Sequence, residues 1–135
     1  MKTADSPVLL MKIMRYLLNL LLLLACFGCA SPSSGTRFEY ETKSYRLNVM
    51  HPCPEGCVSC DYLRLTCLSK ATGSVVHAKG RTWHTTGADG VTPSRFLGYI
   101  FMHDGKVYRI LPDGTFEIAG ADGKVEVEEK WKMKD

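Results

Sequence analysis

An all-β domain, a small antiparallel barrel or sandwich closing in a C-terminal meander, is the fold predicted for most of this 135-residue chain. Three observations predict it. Asp-Gly pairs recur every nine residues, at Asp104-Gly105, Asp113-Gly114 and Asp122-Gly123. Such pairs between alternating runs are a strong hairpin signal, because both residues tolerate positive φ. The segments between and before them alternate apolar and polar residues with period two, as half-buried strands do. No convincing amphipathic helix appears after residue 36. Short strands with glycine-rich turns favour a barrel or sandwich over a repeat architecture, since a nine-residue spacing in three copies is too short and too few for a solenoid.

The first element is not part of that domain. Lys12 and Arg15 precede an apolar run from Leu17 to Phe27, interrupted by Asn19, and the small residue Ala25 stands before Cys26. Basic, apolar, then small is the order of an export signal. The run is about half the length of a membrane-spanning helix. Met11 is an alternative start, since the ten residues before it add nothing that a signal needs.

Leu23-Leu24-Ala25-Cys26 resembles the lipobox of bacterial lipoproteins. The resemblance covers roughly residues 11–31. It implies a diacylglycerol on the cysteine sulfur, cleavage before that cysteine and acylation of the new amino group. Several acyl chains anchor firmly where one is marginal. Residues 1–25 are then a signal peptide, 26–36 the lipidated cysteine and a flexible tether, and 37–135 a disulfide-stapled β-domain. Cys29 is the alternative lipid site. The aliphatic Leu23 three residues before Cys26 favours the first. Cysteine parity favours the second, which would leave four cysteines to pair. By the same resemblance Phe27 after Cys26 points to the inner membrane, facing the periplasm, and Ala30 after Cys29 to the outer membrane.

Ala30-Ser31-Pro32-Ser33-Ser34-Gly35 reads as the tether. Phe38 and Tyr40, then Tyr45, Leu47 and Val49, alternate with polar residues and predict the first two strands. His51-Pro-Cys53-Pro-Glu-Gly-Cys57-Val-Ser-Cys60 is a loop on its prolines and glycine. Cys67 lies in the next strand, Tyr62–Ser69. Cys53, Cys57, Cys60 and Cys67 are read as two disulfides, with three connectivities open. A tetrahedral zinc or a redox dithiol is the alternative. No second C-x2-C follows at finger spacing, and Cys57-x-x-Cys60 lacks the strand-to-helix setting of a thioredoxin site.

A hairpin is predicted at Lys79-Gly80, joining Ser74–Ala78 to Arg81–Thr85. That register places His77 and His84 on one face, a diagonal step apart, read as solvated residues of a sheet. Phe96–Met102 is apolar on both faces and predicts a central strand. Lys106–Leu111, Thr115–Ala119 and Lys124–Glu128 complete the meander, with His103 before its first turn. Glu126, Glu128 and Glu129, interleaved with Lys124, Lys130 and Lys132, read as the outward face of an edge strand that resists aggregation. Trp83 and Trp131 read as core.

The function classes narrow accordingly. Residues 1–25 carry a net +2 of the chain's +3, so the rest is nearly neutral and lacks the dense basic run of a nucleic-acid binder. No phosphate loop, G-x-S-x-G elbow or H-E-x-x-H is present. The expectation is a lipid-anchored, non-enzymatic envelope protein without cofactor, catalytic residue or metal, held to the membrane by its lipid and binding an unidentified envelope partner. One alternative is a periplasmic inhibitor of an enzyme such as lysozyme. Membrane-bound lysozyme inhibitors are likewise short disulfide-bonded β-barrel lipoproteins, but their Ser-Gly-rich loop with a following tyrosine is not evident here. The other alternative is a zinc or redox protein built on Cys53–Cys67.

Overall fold

In the computed structural model, residues 7–24 and 35–135 are described, and they fall into two separate units. The first is an α-helix, α1 (Pro7–Leu24), which contains most of the apolar run. Among the described residues no helix is long and apolar enough to cross a membrane. Cys26 and Cys29 lie outside the described residues.

The second unit is all-β. Its strands are β1 (Thr36–Glu41), β2 (Tyr45–His51), β3 (Leu63–Ser69), β4 (Val75–Thr86), β5 (Pro93–His103), β6 (Lys106–Ile110), β7 (Thr115–Ala119), β8 (Val125–Lys130) and β9 (Lys132–Met133). They form one antiparallel sheet in the order β8-β7-β6-β5-β4-β3-β2-β1-β9. The two edge strands of that order are joined by one residue, Trp131. A flat sheet of this order would hold them about 38 Å apart at normal strand spacing. The sheet must therefore curl until its edges meet, giving a nearly closed barrel rather than a sandwich.

Trp131 pins the seam. Its indole N–H donates to the Leu111 carbonyl at 3.0 Å, and its ring meets Tyr40 edge-on at 4.8 Å between centroids. Glu129 completes the closure from β8. Its carboxylate accepts from the Ser44 amide at 2.9 Å and the Ser44 hydroxyl at 2.5 Å, across the β1–β2 turn. Joining the end of β8 to the start of β2 is the stagger that barrel closure imposes.

Alternation decides what lies inside. Tyr40 pairs Leu47, which pairs Cys67, and one step along Val49 pairs Leu65 and then Ala78. All six are buried. A longer row runs Leu63, Gly80, Phe101, Tyr108, Ile118 and Val127 across six strands. Phe101 and Phe116 are the largest fully buried side chains of the core.

Two expectations are corrected here and a third is met. Lys79-Gly80 is not a turn. β4 continues through it for twelve residues, with Gly80 opposite Phe101. A Cβ on Gly80 would lie 2.4 Å from the Phe101 ring and 2.2 Å from the Ile100 carbonyl. The glycine serves a close approach of strands, which the sequence alone does not distinguish from a turn. The Phe96–Met102 segment is the central strand expected of it, between β4 and β6, although a barrel strand has only one inner face and Met102 on the outside is 60% exposed. Glu129 is not outward-facing, because it follows Phe116 and Val127 onto the inner side of the seam.

The Asp-Gly turns differ among themselves. Asp104 and Gly105 both take positive φ (47° and 70°) in a two-residue hairpin. At the other two pairs only the glycine does. There the aspartate instead accepts from the amide two residues on, Thr115 for Asp113 and Lys124 for Asp122, as in a three-residue loop.

Candidate binding site

The cysteine loop caps one end of the barrel. Cys53 and Cys60 are bridged, with Cα atoms 5.9 Å apart. Cys60 is buried and belongs to the core, and its amide and carbonyl both bond to Thr82 on β4 at 2.9 Å. Pro54-Glu55-Gly56-Cys57 turns back on itself through the Cys57 amide. This corrects the expectation of two bridges: Cys57 is exposed and unbridged, and Cys67 is buried and unbridged in β3. Alternation points Cys67 into the core, while the Gly56 turn carries Cys57 out to solvent.

The two thiols should behave oppositely. Burial pushes the Cys67 thiol up to about 12, so it stays neutral at any physiological pH. A maleimide is expected to modify Cys57 in the native protein and Cys67 only after unfolding, by peptide mapping without reductant. Rapid native labelling of Cys67 would contradict its placement.

The histidines are dispersed. His77 and His84 sit on one unbroken strand at odd spacing and point to opposite faces, which corrects the diagonal pair expected from a hairpin. His77 is exposed, with Nδ1 3.3 Å from the Thr66 hydroxyl. His84 lies beside Phe96 with both ring nitrogens buried and without a hydrogen-bond partner. His103 ends β5 next to Asp104, at 3.3 Å. Among the described residues no three His, Cys, Asp or Glu side chains gather as a metal-holding group.

The remaining carboxylates and aromatics take structural places. Glu126 pairs with Lys106 at 2.9 Å, and Glu128 lies opposite Glu117. Glu117 holds Arg109 at 3.1 Å, whose guanidinium covers Trp83 at 5.8 Å.

What the sequence reading missed is a basic cleft at the other end of β1. Thr36 pairs with His51, so the chain joins the barrel at the end that carries the disulfide loop. At the Glu41 end, a cleft of about 450 Å3 is lined by Lys43, Lys70, Lys130, Lys132 and Lys134, with Glu41 and Asp135. Lys43 comes from the β1–β2 turn and Lys70 from the β3–β4 turn. Lys130, Lys132 and Lys134 bring the terminal segment across the seam. Lys70 is held by Glu41 at 2.8 Å and by the Thr42 carbonyl at 2.6 Å, and Lys130 by the Thr115 hydroxyl at 2.7 Å. The hydrogen bond and charge of Lys70 hold the Glu41 carboxyl below its usual range. Burial raises Glu129 nearby, but hydrogen bonds from Ser44 and Thr42 and the charge of Lys43 outweigh it, so its carboxyl stays ionised. The alternation Lys130-x-Lys132-x-Lys134 was the available signal. Lys43 and Lys70 join it only through the fold.

Compared with known protein families, curated proteins and solved structures, the chain has no match.

Proposed function

We propose that the chain is a lipid-anchored protein of the bacterial envelope that acts by binding rather than by catalysis. One observation carries the export half of this reading: the Cys53–Cys60 bridge is built into the core, with Cys60 2% exposed. A domain that needs a bridge to complete its core belongs in an oxidising compartment. Leu23-Leu24-Ala25-Cys26 supplies the means of export and anchoring, with residues 1–25 as signal peptide and the lipid on Cys26. Phe27 favours the inner membrane, with the domain in the periplasm. The outer membrane follows if Cys29 is the lipidated residue.

Binding is favoured over catalysis by the scatter of the reactive groups. His77 meets a threonine hydroxyl, and His84 lies beside Phe96 with neither ring nitrogen hydrogen-bonded. A nucleophile, base and orienting carboxylate held together would be needed for acyl transfer.

Intact mass of the chain purified from membranes tests the reading. The expected result is a mature protein beginning at Cys26 and carrying acyl chains, with Cys26→Ser abolishing the added mass and Cys29→Ser keeping it. The reverse pattern would move the lipid to Cys29. Absence of acylation in the unaltered protein would overturn the proposal.

A further inference from the structure

We propose that the lysine cleft beside β9 is a binding site for a multiply charged phosphate group, of the phosphate-monoester or diphosphate class. The inference rests on reading the domain as a binding module, but not on its lipid. Residues 26–135 carry eight lysines and a net charge of +1, yet five of those lysines line one cleft with Glu41 and Asp135 as its only acidic residues. Charge that is balanced over the whole domain is thus segregated at one place.

Two of the five lysines are already engaged, Lys70 with Glu41 and Lys130 with Thr115. Among the described residues no side-chain hydrogen bond or ion pair holds Lys43, Lys132 or Lys134, and only the longer-range charges of Glu129 on Lys43 and Glu41 on Lys134 act on them. Three ammonium groups around one concavity repel each other, and the concave wall focuses their field on whatever enters. An anion that accepts from several donors relieves that repulsion. Ammonium groups act as mobile point charges, which suit the rounded, multiply charged phosphate, whereas a planar carboxylate is better matched by the arginine fork. None of the cleft's basic residues is an arginine. A cleft of about 450 Å3 has room for a diphosphate. Its position at the Glu41 end of β1, away from Thr36 where the chain joins the barrel, leaves it clear of the tether's attachment point.

Calorimetric titration of the full chain in neutral detergent with pyrophosphate tests this. Saturable binding that weakens with added salt is expected. The triple variant Lys43→Ala, Lys132→Ala, Lys134→Ala is expected to bind at least about tenfold more weakly. The control variant Lys79→Ala, Arg81→Ala, Lys124→Ala removes the same charge elsewhere and is expected to bind as the unaltered chain does. Absence of heat at millimolar pyrophosphate, or equal weakening in both variants, would overturn the assignment. Circular dichroism of each variant separates loss of binding from loss of fold. Phosphatidic acid incorporated into the detergent micelles as competitor, with phosphatidylcholine as the control lipid, identifies the source. Competition assigns the site to a lipid headgroup and its absence to a soluble phosphate, and either result keeps the phosphate chemistry. Acylation is measured separately by mass, so failure of the anchor and failure of the cleft are distinguishable.

Discussion

Replacing Gly98 with alanine is expected to destabilise the domain by at least about 3 kcal/mol, the combined cost of a strained backbone and an overpacked contact. Gly98 sits in β5 at φ +126°, a conformation that side chains rarely adopt. A Cβ there would lie 2.3 Å from the Ile110 carbonyl oxygen and 3.2 Å from the Leu111 Cα. Both are backbone atoms of the neighbouring strand and its turn, so no side-chain rotation relieves the overlap. The β4–β5 register shifts just beyond, between Trp83 and His84. Such irregularities sharpen the local coil of a sheet, and this one helps the nine strands curl toward closure. Urea unfolding followed by tryptophan fluorescence reads the effect, because Trp83 pairs with Gly98 and Trp131 lies at the seam. An unchanged midpoint for Gly98→Ala would contradict the observed backbone.

Phe101→Ala is the second large effect, at about 3–5 kcal/mol for an emptied aromatic core position. Phe101 is fully buried and lies opposite Gly80 on one side and Tyr108 on the other. Cavity cost depends on how far neighbours can collapse. Gly80 has no side chain to move into the space, so the loss should fall in the upper part of that range. For a domain of this size it corresponds to a fall in melting temperature of at least about 12 °C. Thermal unfolding by circular dichroism checks it. A fall of only a few degrees would contradict the fully buried place of Phe101 opposite Gly80.

The comparison of these two glycines shows where sequence patterns stop. Gly80 follows a lysine between two apolar-polar runs, and the same pattern serves a turn or a close strand approach. The competing contact, Phe101, is 21 residues away and unknowable from the local pattern. The Asp-Gly pairs carried more information, because the aspartate can take positive φ or accept the amide two residues on, and both produce a hairpin. The loop of Cys53, Cys57 and Cys60 was recognisable from its prolines. Which cysteines met was not, since pairing depends on Cα separation and on the face of β3 that Cys67 occupies.

Local chemistry is therefore what the amino-acid order settled by itself: antiparallel strands from period-two alternation, hairpins from Asp-Gly, and an apolar N-terminal segment set apart from the β-domain. These depend on neighbours within a few residues, where steric and solvation preferences act directly. Tertiary structure decided closure, the single Cys53–Cys60 bridge, the inward turn of Glu129 and the gathering of five lysines at one cleft. Closure, the inward turn of Glu129 and the lysine cleft depend on residues far apart in the chain, which meet where Trp131 joins the two edge strands of the sheet. The bridge spans only seven residues, and its choice of Cys60 follows from the place of that residue in the core against Thr82 of β4.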